Sequence, residues 1–230
     1  MDDDGYPINS NSLQELLDYA DKIDNDCIML NSIVLYNGNS LTFGLNGIRS
    51  LAQAKQISAE NSNLIEHYIA PFNGTLISKG TYRRIGNIRK DFIIHGDEAE
   101  YWLRALKADV YVATLISSLF FHPLNNIEKK YVYDGKVYSF CYTPPWMEYY
   151  EARNHVYIRR KYLSKDETRI YIKRLRIKAL CAPSEKIKYW YYIHKGIYSG
   201  IFDNLKPLNK QLYLADIEDF YQSIHLDRMY

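Results

Sequence analysis

The stretch "IEKKYVYDGKVYSFCYTPP" (127–145) constrains the chain more than any other. Apolar and polar residues alternate on both sides of Asp134-Gly135. Asp-Gly is a dipeptide that accepts the left-handed backbone of a tight hairpin turn, so two antiparallel strands are predicted here. Pro144-Pro145 then stops the second strand and reads as a linker between two halves of the 230-residue chain.

On either side of that linker the pattern predicts the same order of elements: helix, strands, helix, β-hairpin, helix. In the first half, Leu13, Leu16, Leu17, Ala20 and Ile23 recur at helical spacing behind a cap at Asn11 or Ser12. The aliphatic run "LNSIVLYNG" (30–38) reads as a second helix that runs into Gly38. "NSLTFGLNG" and "RSLAQAKQIS" read as two strands around a Gly/Asn turn. "SAENSNLIEHYIAPF" reads as a helix stopped by Pro71, and "GTLISKGTYRRIGNIRKDFIIHG" as a β-branched, basic hairpin. "DEAEYWLRALKADVYVATLISSLFF" is read as helical throughout, with acids in its first turn as the helix dipole prefers. In the second half, 146–165 reads as a helix and "TRIYIKRLRIKAL" as β. "PSEKIKYWYYIHK" reads as a helix, "GIYSGIFD" and "KQLYLADI" as strands, and "EDFYQSIHL" as a closing helix.

The composition fits a globular chain: 47% hydrophobic, 24% charged, net charge +2. Tyrosine is abundant, 23 residues, alongside Asn, Ile and Lys; this usage also follows from AT-rich codons. Charge is unevenly spread. Residues 1–26 are acidic, whereas 153–178 are dense in Arg and Lys, a candidate phosphate footprint. Cys27, Cys141 and Cys181 lie far apart with no CxxC or Cys/His cluster, so neither zinc nor a disulfide framework is indicated. His67, His122, His155, His194 and His225 show no ligand spacing. No apolar stretch is long enough for a bilayer, and no signal peptide is expected. The compartment stays open between an organelle, such as the mitochondrion, and the cytoplasm.

An apolar motif ending in Gly, followed by hairpins and helices and given twice, resembles the LAGLIDADG homing endonucleases and maturases. The first motif would be Leu30–Gly38, and the second would fall in "YIRRKYLSKDE" (157–167). The resemblance implies an α+β fold of two pseudo-symmetric LAGLIDADG-like halves with curved antiparallel sheets. It gives an acidic extension (1–24), a first half (25–126), the hairpin linker (127–145) and a second half (146–230). It also implies two motif helices, each presenting an acid to Mg²⁺. Here Asn37 and Lys165 stand at those acid positions, so catalytic function is not expected and no cofactor is assigned. Mg²⁺ would be needed only if the chain were an active DNA endonuclease.

What the resemblance retains is a binding face. Lys79, Arg83, Arg84, Arg89 and Lys90 in the first half, with Arg169, Lys173, Arg174, Arg176 and Lys178 in the second, would contact phosphates. Tyr82 and Tyr171 would stack on bases. The expected function is a non-catalytic nucleic-acid binder, RNA favoured over DNA. It would act as a maturase-like factor or a structural component of a ribonucleoprotein such as an organellar ribosome, with other proteins as neighbours and no membrane partner. A second reading takes Arg89 and His95 in "NIRKDFIIHG" as resembling the Arg/His pair of the HEPN ribonucleases, which cleave RNA without metal.

Overall fold

The computed structural model describes residues 5–58, 63–124 and 128–208. The chain forms two compact units. Unit 1 comprises residues 1–88 and 98–125, and unit 2 comprises 89–97 and 126–230.

Unit 1 is built on a mixed sheet. Its strands are β1 (Tyr6–Pro7), β2 (Ile28–Leu35), β3 (Ser40–Leu45), β4 (Ile48–Ser50), β5 (Leu64–Glu66), β6 (Thr75–Ile77) and β7 (Tyr111–Phe121). The order is β1-β7-β2-β3-β4, with β5 also paired to β7 and β6 to β2. The central β2–β7 pair is parallel; all other pairings are antiparallel. Helices α1 (Ser12–Ala20), α2 (Leu51–Ser58), α3 (Lys79–Ile85) and α4 (Asp97–Lys107) accompany the sheet.

The expected helix at 30–38 is therefore corrected to a strand. All eight residues of β2 are buried. A strand covered on both faces shows no polar alternation, and by periodicity it cannot be told from a buried helix. Ser32 sits where the β2–β7 register shifts. Its hydroxyl lies 2.8 Å from that of Ser118 and donates to Gly74 O at 3.2 Å.

Four further expectations change in unit 1. "RSLAQAKQIS" is strand only to Ser50 and then becomes α2. Residues 64–66 are β5, not helix. The hairpin expected from Gly74 is β6 followed by α3, which Ser78 caps by accepting from Thr81 N. The long helix expected from Asp97 stops at Lys107. Asp109 takes a left-handed turn (φ 53°), and β-branched Val112, Thr114 and Ile116 continue as β7.

Among the described residues, unit 2 contains a hairpin, β8 (Lys129–Tyr133) and β9 (Lys136–Phe140), and three helices: α5 (Pro145–Tyr162), α6 (Lys165–Leu180) and α7 (Lys186–Ile201). The hairpin is the predicted one, and Asp134 (φ 48°) and Gly135 (φ 68°) supply its turn. "TRIYIKRLRIKAL" is helix, not strand. Thr168, Tyr171, Ile172, Leu175 and Ala179 share one helical face. The last four pack against Ala152, Val156, Ile193 and Ile197. Ser164 and Glu167 form a capping box at its start. "GIYSGIFD" continues α7 to Ile201 instead of forming a strand. Its glycines let α5 come close: a Cβ at Gly196 would lie 2.4 Å from Tyr149 O, and one at Gly200 2.5 Å from Arg153 O. "KQLYLADI" and "EDFYQSIHL" lie outside the described residues.

The fold is thus α+β, but the expected repeat of element order is absent among the described residues. Unit 1 is centred on a sheet and unit 2 on helices.

Candidate functional site

Asn37 follows β2 in a turn of unit 1. Its Oδ1 accepts from Asn39 N (3.0 Å) and Ser40 N (2.6 Å), closing the turn into β3. The amide at the end of this apolar run is therefore explained by local backbone capping. Lys165 is the exposed first residue of α6, in unit 2.

The ten basic residues expected to bind nucleic acid separate into distinct roles. Lys79, Arg83 and Arg84 lie exposed on α3, on a helix where a strand was expected, beside exposed Tyr82. Arg84 also donates to Ala108 O and Asp109 O at the end of α4. Lys90 is exposed. Arg89 is a structural anchor: it chelates Asp91 with both carboxylate oxygens (3.0 and 2.6 Å) and donates to Tyr157 OH (2.7 Å). That hydrogen-bonded guanidinium holds the Asp91 carboxyl below its ordinary pKa.

On α6 the sequence spacing gathers what the strand reading had scattered. Lys165, Arg169, Lys173 and Arg176 recur every three or four residues, so they project from one exposed face. Arg169 shares its position with Asp166, 3.1 Å away and equally exposed, which leaves the pair weak. Arg174 turns away from this stripe: it donates to Ser139 O at 2.6 Å and lies over Phe140.

Lys178 is buried. Its ammonium lies 2.6 Å from Glu148 and 3.2 Å from Glu151, both on α5. Burial pulls the Lys178 pKa down, but Glu151 and Glu148 outweigh it and raise the value overall. Burial, with Glu151 adding its charge, raises Glu148 against the opposing pull of Lys178. Glu151 is half-buried, and Lys178 and the two nearby histidines lower its pKa against the cost of desolvation.

This ion cluster borders a cavity of about 290 Å³ lined by His95, His155, Tyr171, Arg174 and others. Arg89, the expected motif partner of His95, is not among the lining residues. The fold brings His155 to the same cavity as His95, and no spacing in the sequence joins the two. His155 tilts against Tyr171, with centroids 5.9 Å apart, and Arg159 lies over the same ring. Burial lowers the pKa of both imidazoles, that of His155 to about 4.

His95 is held by a buried clamp. Asn154 Nδ2 donates to the carbonyls of Phe92, Ile94 and His95 (2.9, 3.0 and 2.7 Å). Arg153 donates to Asp91 O and Phe92 O (2.6 and 3.3 Å). Both clamp residues are fully buried. The loop they grip is strained, with Ile93 and His95 left-handed at φ 64° and 63°.

Among the described residues, no group of three or more His, Cys, Asp or Glu side chains is arranged to hold a metal ion, and no helix is long and apolar enough to cross a membrane. Compared with known proteins, the chain matches no family model, no curated protein and no solved structure.

Proposed function

We propose that the protein binds RNA without cleaving it, through the outer face of α6. One observation carries this reading: Lys165, Arg169, Lys173 and Arg176 lie on a single exposed helical face. Phosphate affinity needs several cations within reach of one backbone, and a helix stripe supplies them. Unpaired bases are favoured over a duplex. The neighbouring helix α7 exposes Trp190, Tyr191 and Tyr198, with Phe202 exposed at its C-terminal cap, flat apolar rings on which single-stranded bases stack. The proposal rests on the chemistry of unit 2 and not on descent from an endonuclease.

The test is a binding titration of single-stranded RNA, duplex RNA and duplex DNA against salt. Replacing Lys165, Arg169, Lys173 and Arg176 with Glu should weaken RNA binding and lower the salt slope by about 0.7 per lost phosphate contact. Wild-type slope and affinity in the variant would refute the assignment, as would Mg²⁺-dependent strand cutting by the wild type.

A further inference from the structure

We infer that the cavity of unit 2 is a nucleobase site, taking the uncharged, planar ring of one unpaired base. This rests on the RNA-binding reading above and names what the second element of that recognition would be.

Size comes first. About 290 Å³ lies at the lower end of small-molecule sites, enough for one ring system and too little for a peptide segment. Charge comes second. The lining carries Glu128 and Glu151 against Arg174 and Lys178, so its formal charges cancel. Both cations are already engaged by protein oxygens, Lys178 by two carboxylates and Arg174 by Ser139 O. That arrangement argues against a phosphate and for a neutral ligand.

The faces and edges of the cavity then match a base. Phe140 and Tyr171 line the cavity, with Arg174 over the first ring and Arg159 over the second, and a planar heterocycle would pack against the ring surface these leave open. Glu151 accepts hydrogen bonds, and a neutral imidazole donates from one nitrogen and accepts at the other. His95 Nε2 is buried and lacks a hydrogen-bond partner among the described residues. Native structures rarely leave such an atom unpaired. Here the backbone behind it is strained and gripped by Arg153 and Asn154, so the imidazole is positioned in advance of any ligand.

The experiment is an NMR titration of the histidine ring signals of the full chain with adenosine, guanosine, cytidine and uridine, and separately with inorganic phosphate. The expected result is saturable movement of the His95 and His155 signals by at least one nucleoside and not by phosphate. Glu151→Gln and His95→Gln should weaken that binding about ten-fold while the rest of the spectrum stays that of the folded chain. Should His95→Gln fail to fold, Glu151→Gln alone decides. No movement with any nucleoside at millimolar concentration overturns the proposal, and so does equal movement with phosphate. The RNA reading fails separately: nucleoside binding by a chain that binds no RNA strand would support the cavity and remove the proposed function of α6.

Discussion

The imidazole of His155 sits among Glu151, Arg159, His95 and Lys178, and burial holds it neutral, with a pKa near 4 against an ordinary 6.5. A lowered pKa means that the unfolded chain binds the proton more readily. The stabilising contribution is complete above about 6.5 and is lost as pH falls toward 4. Between about pH 7 and pH 5 the loss amounts to about 2 kcal/mol. Glu148 acts in the opposite sense across this range and by a comparable amount, because its raised pKa favours folding at lower pH. Replacing His155 with Phe isolates the histidine contribution: the unfolding free energy from urea titration should fall less between those two pH values than in the wild type.

Asn154 gives a second prediction at this scale. Asn154→Ala leaves the carbonyls of Phe92, Ile94 and His95 without their common donor inside unit 2. Phe92 O keeps Arg153 and Ile94 N as donors, so the loss falls on the carbonyls of Ile94 and His95; unsatisfied buried groups of this kind cost about 1–3 kcal/mol each, and a loss of about 2 kcal/mol or more is expected in denaturant unfolding. The roles of Asn37 and Asn154 show what sequence conceals at the residue scale. Each is an amide serving backbone atoms. Only Asn37 serves neighbours in the chain, and only there could an Asx turn have been read. The carbonyls that Asn154 serves lie some 60 residues away.

Among the elements, α5 and α7 pack most intimately, through Gly196 and Gly200. A side chain at either position meets backbone carbonyls, which cannot rotate away. Gly200→Val should therefore force the helices apart and cost about 1–3 kcal/mol or more, read as a drop in Tm. Gly38→Ala is the matched control, since nothing lies within 4 Å of a Cβ there. The elements that were legible in sequence are those with local signals. The β8–β9 turn declares itself by Asp-Gly, and α5 by proline at its start. The Ser164-x-x-Glu167 capping box is an equally local mark of α6, the segment that reads as β in "TRIYIKRLRIKAL". β2, and β7 from Val112 to Ile116, carry no such local mark, because burial on both faces erases the period.

At the scale of the molecule, unit 2 is discontinuous. Residues 89–97 belong to it, although unit 1 continues through 98–125. A fragment beginning at residue 126 would keep α5 but leave Arg153 and Asn154 without the carbonyls of 91–95. It should show poor NMR dispersion and a low unfolding midpoint, and a synthetic 89–97 peptide added in excess should raise both. Unchanged dispersion and midpoint on adding the peptide would contradict this account.

By itself the sequence determined the α+β composition, the central hairpin, the helices at 146–165 and after Pro183, and the basic character of the chain around 153–178. These follow from turn chemistry, capping and charge, which act within a few residues. The tertiary structure alone decided that 28–35 is a strand and that His95 and His155 line one cavity. Burial and long-range pairing fix those features, and neither leaves a period or a spacing in the chain.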